Sequence, residues 1–292
     1  MTSATSQRGV VVGVDGSPAA QNAVAWAARA AAAHHQTLTL VHLLPPPVMV
    51  WPGVSIPSGF ENWQESQGRN IIQDAVMIAD DETRTEPIHV DHEIRTGLPV
   101  PSLAEASKQA AMVVVGAHGR GRLRRVVGSV TSGLIQHAGC PVAVIHDDNI
   151  FPDTTAAPVV VGIDGSPYSE PATAIAFDEA SCRGVDLVAV HACSDWSGQE
   201  YSEADWSALE QHGHEVLAER LAGWQERYPD VKVHRTVVAN RAAEHLIEQS
   251  EQAQLVVVGS HGRGACAGIL LGSVSSAVVQ SARVPVIVAR KS

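Results

Sequence analysis

A stretch nearly a whole domain long occurs twice in this chain. VVVGVDGSP at residues 10–18 returns as VVVGIDGSP at 159–167, and LVH at 40–42 returns as AVH at 189–191. VVVGAHGRGRLRRVVGSV at 113–130 returns as VVVGSHGRGACAGILLGSV at 256–274, and CPVAVIH at 140–146 as VPVIVAR at 284–290. The copies stand 149 residues apart at Asp15 and Asp164 and 144 apart at Pro141 and Pro285, a drift that small loop changes explain. Solenoid repeats run about 20–50 residues, so this is a duplicated domain and not a stacked array. The expected division is residues 1–148, a polar, Pro-bearing linker at 149–157, and residues 158–292.

Each copy alternates two kinds of segment. Short β-branched runs (VVVGVD, TLTLVHL, IHVDHEI, MVVVGA, PVAVIH) are separated by stretches, often Ala-rich, with apolar residues at helical spacing. Strands apolar almost throughout need cover on both faces, which favours a parallel sheet. The prediction is therefore two α/β, doubly wound domains with helices flanking each sheet. Ser17-Pro18 and Ser166-Pro167 both read as an N-cap serine before a proline at the first helical position.

Composition excludes several classes. The chain has 292 residues and a net charge of −11, so it lacks the broad basic face of a nucleic-acid binder. No run approaches the ~20 apolar residues of a membrane span. The start, MTSATSQRGVVVGVDGS, has no export-signal pattern, and a cytoplasmic protein is expected. Four cysteines, none in a CxxC pair, read as reduced, mostly buried thiols.

In an open parallel sheet, ligands bind beyond the carboxyl ends of the strands, where strand order reverses. Two segments per copy fall there. Asp15-Gly16-Ser17 and Asp164-Gly165-Ser166 end the first strand. Glycine-rich loops follow the fourth strand, at Gly116, Gly119, Gly121 and Gly128 and again at Gly259, Gly262, Gly264 and Gly272. Such glycines permit positive φ and close backbone approach, so that successive N–H groups form an anion-binding concavity. Ser129 and Ser273 open the following helices, whose N-termini suit phosphate. Asp15 and Asp164 read as acceptors for an adenine amino group or a ribose hydroxyl, although Asp-Gly is also an ordinary turn pairing. No Gly-Lys dipeptide supports a P-loop. The first-strand turns lack GxGxxG; a GxGxxA at 262–267 follows the fourth strand and has no acid about 20 residues on.

These residues resemble the universal stress protein family over both halves, almost end to end. Its ATP-binding members carry Gly-x-x-Gly, nine residues, then Gly-Ser or Gly-Thr. Gly259, Gly262, Gly272 and Ser273 match, with nine residues at 263–271; Gly116, Gly119, Gly128 and Ser129 match with only eight, at 120–127. The tandem layout is similar to that of mycobacterial-type two-domain members. The resemblance implies a five-stranded sheet of order 3-2-1-4-5 in each half and one ATP per half, with Mg²⁺ as a companion ion. Asp15 and Asp164, with Val41 and Val190, would line the adenine side, and Gly13 and Gly162 would also contact the nucleotide. The loop glycines, Arg120, Arg263, Ser129, Ser273, Val130 and Val274 would hold ribose and phosphates. Final strands at 142–145 and 286–289 would pair across a homodimer. The implied function is an ATP-binding stress-response regulator that acts through nucleotide-dependent conformation and a protein partner, with no catalytic residue. The rivals are a slow ATPase or adenylate-handling enzyme, although the SGGxDS signature of some such enzymes is absent here, and a nucleotide-free interaction module.

Arg120, Arg122, Arg124 and Arg125 make the first loop basic, whereas the second has AlaCysAlaGly at 265–268, so the two sites should differ in affinity. His118 and His261 repeat, but no second catalytic group repeats beside them, so they read as loop structure. His34-His35 and Asp91-His92 lack metal-ligand spacing and read as surface residues. Residues 45–63 and 193–210 are aromatic connections that suit a lid, an interface or a self-packed loop. Residues 212–228 read as an amphipathic helix.

Overall fold

The computed structural model describes residues 8–46, 59–119, 127–146, 156–193, 203–263 and 271–290. The chain divides into two compact units, Met1–Asp147 and Asp148–Ser292. Unit 1 runs β1 (Arg8–Gly13), α1 (Pro18–Ala33), β2 (Leu38–Leu44), α2 (Phe60–Glu82), β3 (Val90–Thr96), α3 (Pro99–Ser107), β4 (Ala110–Gly116), α4 (Ser129–His137) and β5 (Val142–Ile145). Unit 2 repeats the pattern as β6 (Val159–Gly162), α5 (Glu170–Arg183), β7 (Leu187–Ala192), α6 (Glu203–Arg227), β8 (Val233–Val238), α7 (Ala242–Ser250), β9 (Leu255–Gly259), α8 (Ser273–Ser281) and β10 (Val286–Ala289).

Each unit holds one parallel five-stranded sheet, ordered β3-β2-β1-β4-β5 in unit 1 and β8-β7-β6-β9-β10 in unit 2. The strand order reverses between β1 and β4, and between β6 and β9. Val10–Val12, Val113–Val115 and Val142–Ile145 are buried, as are Val159–Val161 and Val256–Val258, so helices must cover both faces. The outer strand β3 instead carries Asp91, His92 and Glu93 exposed or half-exposed, charges that discourage edge pairing. Helix α1 buries a face of alanines, including Ala19, Ala23, Ala27 and Ala31. Small side chains let it lie close on the sheet: a Cβ on Gly116 would meet Ala19 Cβ at 2.7 Å and the Ala19 carbonyl carbon at 2.9 Å.

The two helix starts predicted to match do not. Ser17 caps α1, its Oγ accepting the Ala20 N–H at 3.2 Å with Pro18 at the first position. Ser166 does not cap α5, which starts at Glu170 after Ser169. The reason lies one turn on. A helix from Pro167 would place Pro171 in its interior, where it has no N–H for the Pro167 carbonyl and its ring would collide with that carbonyl. Unit 1 has Asn22 at the matching place, and its helix starts earlier.

Residues 212–228 fall largely within α6. Phe60 and Trp63 stack at the start of α2, ring centroids 5.8 Å apart. Residues 47–58 and 194–202 of the two aromatic connections lie outside the described residues. Cys140 is buried and Cys193 half-buried, but Cys182 is exposed, contrary to the expectation of mostly buried thiols.

Candidate functional site

Beyond the carboxyl ends of β1 and β4 lies a cavity of about 490 Å³. Its walls bring together Gly13, Asp15, Val41, Gly116, Gly119, Gly128, Ser129 and Val130, all expected at one site from sequence. Gly162, Val190, Gly259, Ser273 and Val274 take the matching places on β6, β7, β9 and α8, with Asp164 and Gly262 just after β6 and β9 and Gly272 just before α8. Arg120, Gly121 and Gly264 lie outside the described residues, as do Arg122, Arg124, Arg125 and 265–268.

The acidic turn is built by backbone hydrogen bonds. Val14 N–H donates to Val41 O at 2.9 Å, which carries the chain just past β1 along β2. Gly16 then turns at φ 79, a left-handed conformation that disfavours a Cβ, and Gly165 does the same at φ 81. Ser17 N–H donates to Asp15 Oδ1 at 2.9 Å and Ser166 N–H to Asp164 Oδ1 at 3.0 Å, so each carboxylate is held by its own turn. The other oxygen, Oδ2, faces the glycine loop: a Cβ on Gly119 or Gly262 would stand 2.9 Å from it.

The loop glycines correct part of the sequence reading. Among the described residues Gly116, Gly119, Gly128, Gly259, Gly262 and Gly272 do not have positive φ. Their smallness serves close approach instead: to α1 at Gly116, to Asp15 at Gly119. Gly128 is the N-cap of α4 in extended conformation, and among the described residues no side chain caps the first-turn N–H groups. Those donors have no intrahelical acceptor, and Ser129, Val130 and Thr131 line the cavity. Gly272 begins α8 in the same way.

Two repeated constellations escaped the sequence reading. Thr131 Oγ1 donates to Gly116 O at 2.8 Å, and Ser275 Oγ to Gly259 O at 2.5 Å, tying each helix N-terminus to the strand end it faces. His42 and His191 are buried, and each Nδ1–H donates to the carbonyl after the first strand, Val14 O or Ile163 O, at 2.7 Å. The signal was present: both halves carry a hydroxyl two residues after Gly-Ser and a histidine after the strand-two valine. Burial pushes the His191 imidazole below its usual range, against the raising effect of its bond to Ile163; Arg263 and His212 add to the fall and Asp164 opposes it.

Arg263 does not stand free over the second loop. Its guanidinium donates to Ala192 O at 2.7 Å and Cys193 O at 3.4 Å, at the end of β7. His118 lines the first cavity, its ring 6.4 Å from that of His146, while His261 Nδ1 lies 3.0 Å from Ser260 Oγ. Among the described residues no group of three His, Cys, Asp or Glu side chains is placed to hold a metal ion. His35 pairs with Glu86 and Asp91 with His89, in keeping with surface roles.

The model of the universal stress protein family matches residues 8–146 and again 156–290. The chain belongs to the universal stress protein family. The chain is 54% identical over 295 residues to universal stress protein Rv2005c of Mycobacterium tuberculosis, the alignment covering all of both. A second relative, from Mycolicibacterium smegmatis, is 48% identical over 99% of each chain. A universal stress protein from Archaeoglobus fulgidus shares the fold at a TM-score of 0.73, with 17% identity over 99% of this chain and all of the other. Members of this family are named as stress proteins, and no helix among the described residues is long and apolar enough to cross a membrane.

Proposed function

We propose that each unit binds one ATP and that the chain is a cytoplasmic stress-response regulator, acting through nucleotide-dependent conformation and a protein partner. The observation that carries this is the meeting, in one cavity, of the N–H groups at the start of α4, uncapped among the described residues, a fixed carboxylate and an apolar wall. A volume of about 490 Å³ is in the range of small-molecule sites. Ser129 and Val130 at the helix start suit phosphate oxygens. Val41, Leu43 and Leu103 suit the flat, apolar faces of a purine. Asp15 repels phosphate at close range, so it belongs to the ribose or the adenine amino group, and the phosphates run toward α4. Mg²⁺ would accompany the triphosphate as its companion ion.

Denaturing the purified chain, identifying released small molecules by mass spectrometry and titrating ATP by calorimetry tests this. Retained or titratable ATP, two per chain, is expected; neither carried nor added ATP would sink the proposal. One observation favours a second reading, slow ATP hydrolysis, because His118 lines the cavity. Multiple turnover abolished by His118→Ala would establish it.

A further inference from the structure

We propose that the two crevices are unequal and that Ser166 makes the second the weaker nucleotide site. This rests on the reading of both crevices as ATP sites and adds a cause and a direction to their difference. Asp15 accepts one hydrogen bond among the described residues, from Ser17 N–H, and its other oxygen faces the cavity. Asp164 accepts the same backbone bond and also the Ser166 hydroxyl, which lies 2.8 Å from Oδ1 and 3.0 Å from Oδ2. That hydroxyl is oriented: its oxygen accepts Tyr168 N–H at 3.2 Å, which leaves its proton to the carboxylate.

A ligand donor approaching Asp164 must therefore share or displace Ser166. In unit 1 the matching Ser17 is buried and turned into α1, where it caps Ala20 N–H. The origin of the difference is Pro171, which delays α5 and releases Ser166 from capping. Arg263, the described basic group of the second loop, already gives hydrogen bonds to the carbonyl oxygens ending β7. The direction opposes the loop spacing, in which the second copy has the nine-residue interval. A chain built this way fills unit 1 first and unit 2 at higher nucleotide concentration, so it reports two ranges of ATP.

The test is calorimetric titration of the full chain with ATP. Two binding classes are expected, the stronger removed by Asp15→Asn and the weaker by Asp164→Asn. Ser166→Ala should tighten the weaker class by about tenfold, the low end of what one competing hydrogen bond to a charged group is worth. Pro171→Asn, which lets the helix start earlier and draws Ser166 into capping, should act in the same direction and stands in if the first variant folds poorly. Loss of the stronger class in Asp164→Asn overturns the proposal, as does no tightening in either variant. Two equal classes refute this inference alone, while no binding of ATP at all removes the nucleotide reading and the inference with it.

Discussion

Gly119→Ala would set its new Cβ 2.9 Å from Oδ2 of Asp15, tighter than a carbon and an oxygen tolerate. The flexible partner must yield by about half an ångström, because Cβ contacts are ordinary only from 3.4 Å. Asp15 is not free to swing, since Ser17 N–H holds Oδ1 at 2.9 Å. Turning the carboxylate bends that bond and takes Oδ2 away from a ligand's donor. A hydrogen bond to a charged group is worth roughly 1.5–3 kcal/mol. The first ATP site should therefore weaken by about ten- to a hundredfold, while the second stays as it was. Calorimetry with ATP on the variant, beside Asp15→Asn, reads both sites. Global stability should move by less than about 0.5 kcal/mol, because the clash is with the end of a side chain. Unchanged affinity in Gly119→Ala, with weakened affinity in Asp15→Asn, would refute the argument from close approach.

Gly116→Ala meets backbone and a Cβ of α1 instead, so it should destabilise unit 1 by about 1–3 kcal/mol in urea unfolding. Ser17→Ala removes a helix cap and should cost about 1 kcal/mol, read in thermal melts. His191, whose pKa is lowered in the folded state, binds protons less readily there than when unfolded. Its contribution is thus fully present above the ordinary value of 6.5 and lost as pH falls below it. Unfolding free energies between pH 7.5 and 5.5 should fall less steeply in His191→Asn than in the parent, and equal slopes would exclude this origin.

The two α/β domains were legible in the sequence because duplication shows twice what one copy shows once. Apolar runs of β-branched residues between Ala-rich segments leave a buried parallel sheet as the way to cover both faces. The residues gathered at the first cavity were legible for the same reason: Asp15, Gly119 and Ser129 each recur at matching places. The repeat also advertised Thr131 with Ser275 and His42 with His191, but a hydroxyl or an imidazole shows its partner only when the chain is folded. Gly116 O and Val14 O, which those groups hold, are backbone atoms that no residue letter marks.

What the sequence determined by itself is the period, the strand–helix alternation and the set of small and acidic residues at strand ends, because these depend on neighbours along the chain. Tertiary structure decided what each small residue is for. Gly16 and Gly165 turn the backbone through positive φ, whereas Gly119 and Gly262 make room for a carboxylate some hundred residues away. It also decided that two identical Asp-Gly-Ser-Pro turns differ. One proline at 171 forbids the earlier helix start, and the serine it releases binds the aspartate instead of the helix. Local letters cannot express that outcome, since it is a competition between a helix cap and a carboxylate for one hydroxyl, settled only where the helix can begin.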